Sequence, residues 1–376
     1  MNIEIVPVKS RSDLRTFIHL PAKIHKNHHN WVPPIYSDEW FFFNPRKNKT
    51  FSYSDTVLFL AKKDGRTVGR IMGIINNRYN DAKNEHDGRF SFLETYDDFE
   101  VALALLKETE NWASQKGMKN LVGPLGFSDK DPQGMLIEGF DAPVVISSNA
   151  NFPFMSEFLE RAGYTKKTDL VVYKVIIPKV IPEFYRKIYE RTLRNNPGLK
   201  FINIQTKKQI KPYIRPVMSL VNETFKDIYA FSEMSLSEMD DFAGRYLMIL
   251  DPRFLKIIEN EKKEVVAFVL GMPDISAGII KSKGYIFPFG FISILRSQKT
   301  TKQLTLLLGA IREDYRNHGL NTILGILMLE EARKGGFEYL DSHLEIESNL
   351  KIRAEMEKMG GEVYKKYRIY SKPLSD

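Results

Sequence analysis

The chain has 376 residues, 43% of them hydrophobic and 27% charged, with a formal net charge of +8 from 55 Lys and Arg against 47 Asp and Glu. That length suits about two globular domains, and the balance of apolar and charged residues excludes a disordered chain. The absence of cysteine removes disulfides, thiolate nucleophiles and cysteine-ligated metals, and the seven histidines form no HExxH or HxH pair, so no metal is expected.

No run approaches the roughly 20 apolar residues of a membrane span, and the N-terminus lacks a basic-then-apolar signal pattern, so a cytoplasmic protein is expected. The small positive excess permits an anionic partner such as a phosphorylated cofactor or a membrane surface. Zinc-finger spacing and aromatic RNA-binding signatures are absent from the sequence, so nucleic acid is not an expected partner.

In chain order, a strand is expected at 3–8, a helix at 11–26, strands at 57–62 and 67–75 joined by a Lys-Asp-Gly turn, and a strand at 89–96. A helix with apolar residues at three- and four-residue spacing follows at 98–117, then a short strand at 119–123 and a turn-rich loop, 123-GPLGFSDKDPQG-134. Helix 153–163 and strand 168–177 close this half, and 178–198 reads as a connecting helix. The order then restarts: strand 200–205, helices 207–225 and 237–250, strands 253–260 and 264–272, strand 303–311, helix 321–335, strand 337–345, helix 349–360 and strand 362–370. The repetition reads as a structural duplication. The histidine run 25-HKNHHNW-31 is expected in a solvated loop, and the aromatics 40–43 and 51–53 in a core or groove wall.

The most informative segment is the strand at 303–311 followed by 316-RNHGLN-321 and a long helix. A Gly-containing turn at a helix N-terminus aims several N–H groups at one point, and the helix dipole adds positive charge there. Pyrophosphate is the natural guest, with Arg316 as a charged donor and Gly319 allowing close approach. The segment resembles the acyl-CoA-binding loop of the GNAT (GCN5-related N-acetyltransferase) superfamily, Arg/Gln-x-x-Gly-x-Gly/Ala. Arg316 and Gly319 match, while Asn321 stands in the last small position, where it is expected to cap the helix. The downstream order, with Asn349 and the pair Gly360–Gly361, also matches. Met356 stands where the superfamily often has a tyrosine acid toward the departing thiolate.

The segments 123–140, 287-FPFGF-291 and 341–361 are similar to the bacterial ceramide synthase-like branch of that superfamily. The resemblance implies tandem GNAT-like folds, α/β (α+β), each a mixed, mostly antiparallel sheet flanked by helices. It implies an N-terminal domain over 1–178 without a pyrophosphate loop, because 95-TYDDFE-100 is acidic there. It implies a C-terminal domain over 179–376 with the acyl-CoA site. The reaction implied is N-acylation of a primary amine, a sphingoid base, by a long-chain acyl-CoA as co-substrate. Ile311, Arg316, Asn317, His318, Gly319, Leu320 and Asn321 would surround the pyrophosphate, and Asn349 the pantetheine arm.

Two further features are read from the residues themselves. Between the strands at 264–272 and 303–311 lie 30 residues, 273–302, with an apolar centre, 286-IFPFGFISIL-295, flanked by Lys281, Lys283, Arg296, Lys299 and Lys302. No acid occurs from Ile275 through Arg312. This insertion fits a membrane surface contact at the inner membrane, an acyl-channel wall or a buried excursion. In 341-DSHLEIESN-349, strand alternation would place Asp341, His343, Glu345 and Glu347 on one face. His343, Glu345 and Glu347 are the candidate catalytic residues, with His343 or Glu345 as base. Asp129 and Asp131 are either head-group contacts or local turn acceptors. Two alternative readings stand beside the lipid acyltransferase: an acetyltransferase for a small amine or a protein, and a non-catalytic acyl-CoA-binding protein.

Overall fold

The computed structural model describes residues 2–146 and 148–374. The first half runs β1 (Ile3–Pro7), α1 (Arg11–His19), α2 (Pro21–Ile24), α3 (Tyr36–Phe42), β2 (Ser54–Lys63), β3 (Arg66–Asn76), α4 (Asn77–Lys83), β4 (Asp87–Thr95), α5 (Phe99–Gln115), β5 (Asn120–Gly123), β6 (Met135–Glu138), α6 (Phe154–Arg161) and β7 (Thr165–Ile176). Helix α7 (Glu183–Asn195) connects the halves. The second continues as β8 (Lys200–Ile202), α8 (Lys207–Ile210), α9 (Ile214–Phe225), α10 (Leu236–Tyr246), β9 (Leu255–Glu259), β10 (Val265–Pro273), α11 (Ser276–Ser282) and α12 (Gly290–Thr300). It ends with β11 (Gln303–Ile311), α13 (Leu320–Lys334), β12 (Tyr339–Asp341), β13 (Glu345–Ile346), α14 (Leu350–Lys358) and β14 (Glu362–Pro373).

Local chemistry sets many of these limits. Ser10 and Ser235 form capping boxes with Asp13 and Glu238, and Asp98 caps α5. Pro21 divides the expected 11–26 helix into α1 and α2. Asp64 and Gly65, both at positive φ, turn β2 into β3.

The strands form one sheet in the order β1-β2-β3-β4-β5-β14-β7-β12-β11-β10-β9-β8, with β6 added to β14 and β13 to β7. Pairing is antiparallel except for β4 with β5 and β11 with β12. The order reads alike from both ends, as a duplication requires. Its centre is an exchange of final strands: β7 of the first half lies against β12 of the second, and β14 of the second against β5 of the first. The two exchanged strands pair with each other from Thr165–Ser371 to Lys174–Glu362. Helices cover both faces. Phe59, Ile71 and Phe90 pack with Leu105 of α5, and Leu60 and Met72 with Phe17 and Ile18 of α1. In the second half Ile257 and Phe268 pack beneath Val221 of α9, and Ile258 and Val266 beneath Ile323 and Leu324 of α13.

In each half the parallel strands pair over three residues only, Asp87–Arg89 with 120–122 and Gln303–Thr305 with Tyr339–Asp341. Beyond that they part, and the backbone groups that face each other need other partners. In the first half the following loop fills the gap. Leu125 N–H donates to Phe90 O at 2.8 Å, and the buried Arg89 donates to the carbonyls of Gly126 (3.1 Å) and Phe127 (2.8 Å). In the second half Ser342 N–H turns away to Tyr173 O at 3.0 Å, and among the described residues no backbone hydrogen bond joins Leu306–Ile311 to 342–347. Leu306, Leu307 and Leu308 are only partly buried there and Gly309 is exposed.

Candidate active site

Past Ile311, the last residue of β11, the chain turns through 312–319 into α13. Asn317 (φ 65°) and Gly319 (φ 81°) both hold left-handed backbone. A side chain at Gly319 would also run into Thr192 of α7, so glycine is required there on two counts. Helix α13 has 15 residues, no acid in its first turn and no side chain capping it, whereas α5 in the first half is capped by Asp98. The partial positive charge of its N-terminus is therefore unmatched. Arg312 is held by Asp314 (2.8 Å) and Glu264 (3.1 Å). Arg316 is exposed, with only a 3.5 Å contact from its Nε to Ile311 O, and has no ion pair among the described residues. His318 lies 3.4 Å from Asn196 and Leu320 is buried as the helix anchor. Gly319 occupies the cap position, and Asn321 falls inside the first turn, which corrects the expectation that Asn321 caps α13. These residues fit a pyrophosphate: bare N–H groups, a free guanidinium and no carboxylate in the turn of the helix that would receive it.

The strand expected at 337–345 is broken. β12 ends at Asp341, His343 takes φ 57°, and β13 resumes for two residues. Asp341 causes the break: its Oδ1 accepts His343 N–H at 2.8 Å and its Oδ2 accepts the Tyr364 hydroxyl. Ser342 Oγ accepts Tyr173 N–H (2.9 Å) and donates to His343 O (2.8 Å). Side-chain bonds to nearby backbone replace the ladder, so the simple alternation from Asp341 to Glu347 does not hold.

The four residues now differ. Asp341 is buried in the interior. Glu347 binds Lys166 (2.8 Å) and accepts Asp169 N–H (3.0 Å), a pairing that ties β7 to the segment after β13. His343 Nε2 is buried without a hydrogen-bond partner among the described residues, and burial drives the imidazole down to about 4, so it is neutral at physiological pH. Burial alone pushes the Glu345 carboxyl up to about 8. A carboxylate of that basicity is chemically equipped to take a proton from an ammonium group.

Behind them lies a buried polar cluster absent from the sequence-based candidates. Lys365 is 2% exposed, its Nζ donates to Pro143 O, and Asp341 and Asp274 both favour its charge against burial. Asp274 in turn accepts from Ser276 Oγ at 2.6 Å. The signal was present in the sequence: Lys365 is a charged residue at an inward position of an otherwise apolar-alternating strand.

The other candidates are placed as follows. Asn349 caps α14, its Oδ1 accepting Ile352 N–H at 3.4 Å. Met356 packs against the core cluster of Val175 and Leu329. Asp129 pairs with Lys130 (2.9 Å) and Asp131 accepts Ser128 N–H (3.2 Å), so both serve their own loop. That loop bridges the halves through Lys130 Nζ, which donates to Ser232 O at 3.2 Å. The histidine run is not a solvated loop: His25 is buried and stacks on Trp31 and Phe152, while His28 stacks on Phe152. Among the described residues no cluster of His, Asp and Glu is arranged to hold a metal ion.

No family model matches the chain. It is 26% identical over 382 residues to "Bacterial ceramide synthase" of Caulobacter vibrioides, covering 99% of this chain and 98% of that protein. It is also 26% identical over 385 residues to "Protein YghO" of Escherichia coli, covering 97% and 94%. Among solved structures, a tandem GNAT protein from the clavulanic acid biosynthesis pathway superimposes with a TM-score of 0.58 at 12% identity, covering 100% of this chain and 99% of that one. A GCN5-related N-acetyltransferase from Sphaerobacter thermophilus gives 0.53 at 12% identity, covering 100% and 96%.

Proposed function

We propose, from the tandem GNAT fold and the likeness to bacterial ceramide synthase through nearly the whole chain, that the protein is an N-acyltransferase that moves an acyl group from an acyl-CoA to a primary amine, the donor a long-chain acyl-CoA and the acceptor a sphingoid base. The observation that carries the reading is the open fork between β11 and β12, with the uncapped N-terminus of α13 and Arg316 following one arm and Glu345 and His343 on the other. The closed fork of the first half supports an N-terminal half that binds no cofactor.

In this reading the α13 N-terminus and Arg316 hold the pyrophosphate, while the edge of β11 that faces the fork positions the pantetheine arm. Glu345 removes a proton from the ammonium, and His343 accepts a hydrogen bond from the amine that results. The nitrogen forms the new C–N bond at the thioester carbonyl, the C–S bond breaks, and the departing thiolate takes up the second proton, which the nitrogen sheds as the amide forms. The test is CoA-thiol release by the purified protein, given acetyl-CoA or palmitoyl-CoA, each with and without sphinganine, and the product weighed by mass spectrometry. Release that needs both palmitoyl-CoA and sphinganine, with an N-palmitoyl product, is the expected result. Release from acetyl-CoA alone overturns the lipid reading in favour of a small-amine or protein acetyltransferase. CoA binding with no release under any pairing overturns catalysis.

A further inference from the structure

The insertion between β10 and β11 folds into a helical hairpin, α11 and α12. The two helices are in close contact: a Cβ on Gly278 would stand 2.7 Å from both Ser293 O and Ile294 Cα. The hairpin is tied to the first half, since Tyr36 N–H donates to Gly284 O at 3.1 Å and the Tyr36 and Tyr285 rings lie 4.8 Å apart. Its inner side, Ile275, Ile279 and Ile294, joins a core that also takes in Leu307, on the parted arm of β11. Its outer side is apolar and bare. Phe287 and Phe289 are 70% and 73% exposed, and Ile280, Tyr285, Phe291, Ile292 and Leu295 are exposed around them.

A soluble chain seldom leaves so continuous an apolar face in water. Lys281, Lys283, Arg296 and Lys299 belong to the same hairpin, and none has an ion pair among the described residues; Lys302, at its end, pairs with Glu338. We propose that this face docks on the surface of an anionic lipid bilayer. Phe287 and Phe289 enter the acyl boundary, and the four free cations meet the lipid phosphates. Charge complementarity selects the occupant: acyl chains match the aromatic centre and phosphates match a basic segment without a single acid. The inference deepens the lipid-amine reading and rests on it for its purpose, since the hairpin core reaches Leu307 and so links the docked face to the open fork.

The experiment is flotation of the full chain with phosphatidylcholine vesicles, with and without phosphatidylglycerol. The chain is expected to float with the anionic vesicles and to be released by salt. Phe287→Asp combined with Phe289→Asp is expected to lower the partition coefficient at least about tenfold. Lys281→Gln and Lys299→Gln are expected to lower it about fivefold each. Because these side chains are solvent-facing, the variants are expected to melt with the wild type, which separates lost docking from lost folding. Failure of the wild type to float with anionic vesicles, or unchanged flotation of the double Asp variant, overturns the proposal. So does a double variant that turns a dimer into a monomer in sedimentation velocity without altering flotation, because the face then joins two copies. Vesicle binding without lipid N-acylation would sink the lipid-amine reading and leave the docking surface standing.

Discussion

Glu345 and Arg316 are the residues whose environments make the sharpest demands. The fold keeps the proton on Glu345 up to about pH 8, against an ordinary value of 4.5. Below pH 4.5 the folded and unfolded chains both hold that proton. Between 4.5 and 8 only the folded chain does, so the contribution of Glu345 to stability falls as pH rises through that window. Glu345→Gln is therefore expected to melt above the wild type at pH 9 and with it at pH 4.5, read by calorimetry. As a base Glu345 must be ionised, so turnover is expected to rise with pH through about 8, and Glu345→Gln to lower it by about a hundredfold or more and to abolish that limb. His343, held neutral by burial down to about 4, contributes no limb near neutrality. A limb near pH 6.5 that vanishes in His343→Ala would transfer the base to the imidazole. Arg316 has no carboxylate partner among the described residues, so its guanidinium is available to a phosphate. Arg316→Ala is expected to weaken CoA binding about tenfold or more, through KM with kcat spared. CoA affinity equal to that of the wild type in a titration would remove the pyrophosphate from this loop.

Among the elements, those set by periodicity and capping were legible and those set by side-chain competition were not. The 3.6-residue pattern and a following glycine placed α5, and the Asp-Gly turn placed β2 and β3. The β11–α13 junction was legible because a strand, a glycine and a helix must follow one another closely to form an anion cradle. The break at His343 was not, because Asp341 Oδ1 takes its N–H through a local bond that depends on Tyr364 and Ser342 lying close by. Likewise 273–302 carries composition without period: its two short helices form because Gly278 and Gly290 let two backbones touch. Gly278→Val is expected to pry α11 from α12 and to cost about 1–3 kcal/mol, seen as a lowered melting temperature, with vesicle flotation lost alongside. A variant that melts with the wild type would show that the helices have room to separate.

For the whole molecule the decisive feature is the exchange of final strands, which the sequence could not reveal because duplicated halves carry the same strand order whether their last strands stay or cross. The consequence is that neither half completes its own sheet. A chain ending at 178 has β7 but no β14 to pair with β5, and its β7 loses all three of its partners, β14, β12 and β13. Residues in the middle of a twelve-strand path would become edges, and β7 in particular would expose the apolar run Leu170–Tyr173 now buried on both sides. A chain beginning at 179 has the reciprocal defect, with β14 left without β7 or β5 and β12 left with β11 alone. Either fragment made by itself is therefore expected to aggregate, and the two made together to assemble into a soluble one-to-one complex, because the strands exchange through backbone pairing and need no continuous chain. The linker entering α7 is the place to cut, since Val180 and Phe184 are exposed and no strand crosses it. Co-expression followed by gel filtration and calorimetry checks this. Exchange predicts a single cooperative transition for the intact chain, because α13 and the open fork rest on β12, β12 rests on β7, and β7 belongs to the other half. Two separated transitions, or a soluble folded 1–178 fragment, would show that the halves hold their own sheets and that the exchange contributes little to their stability.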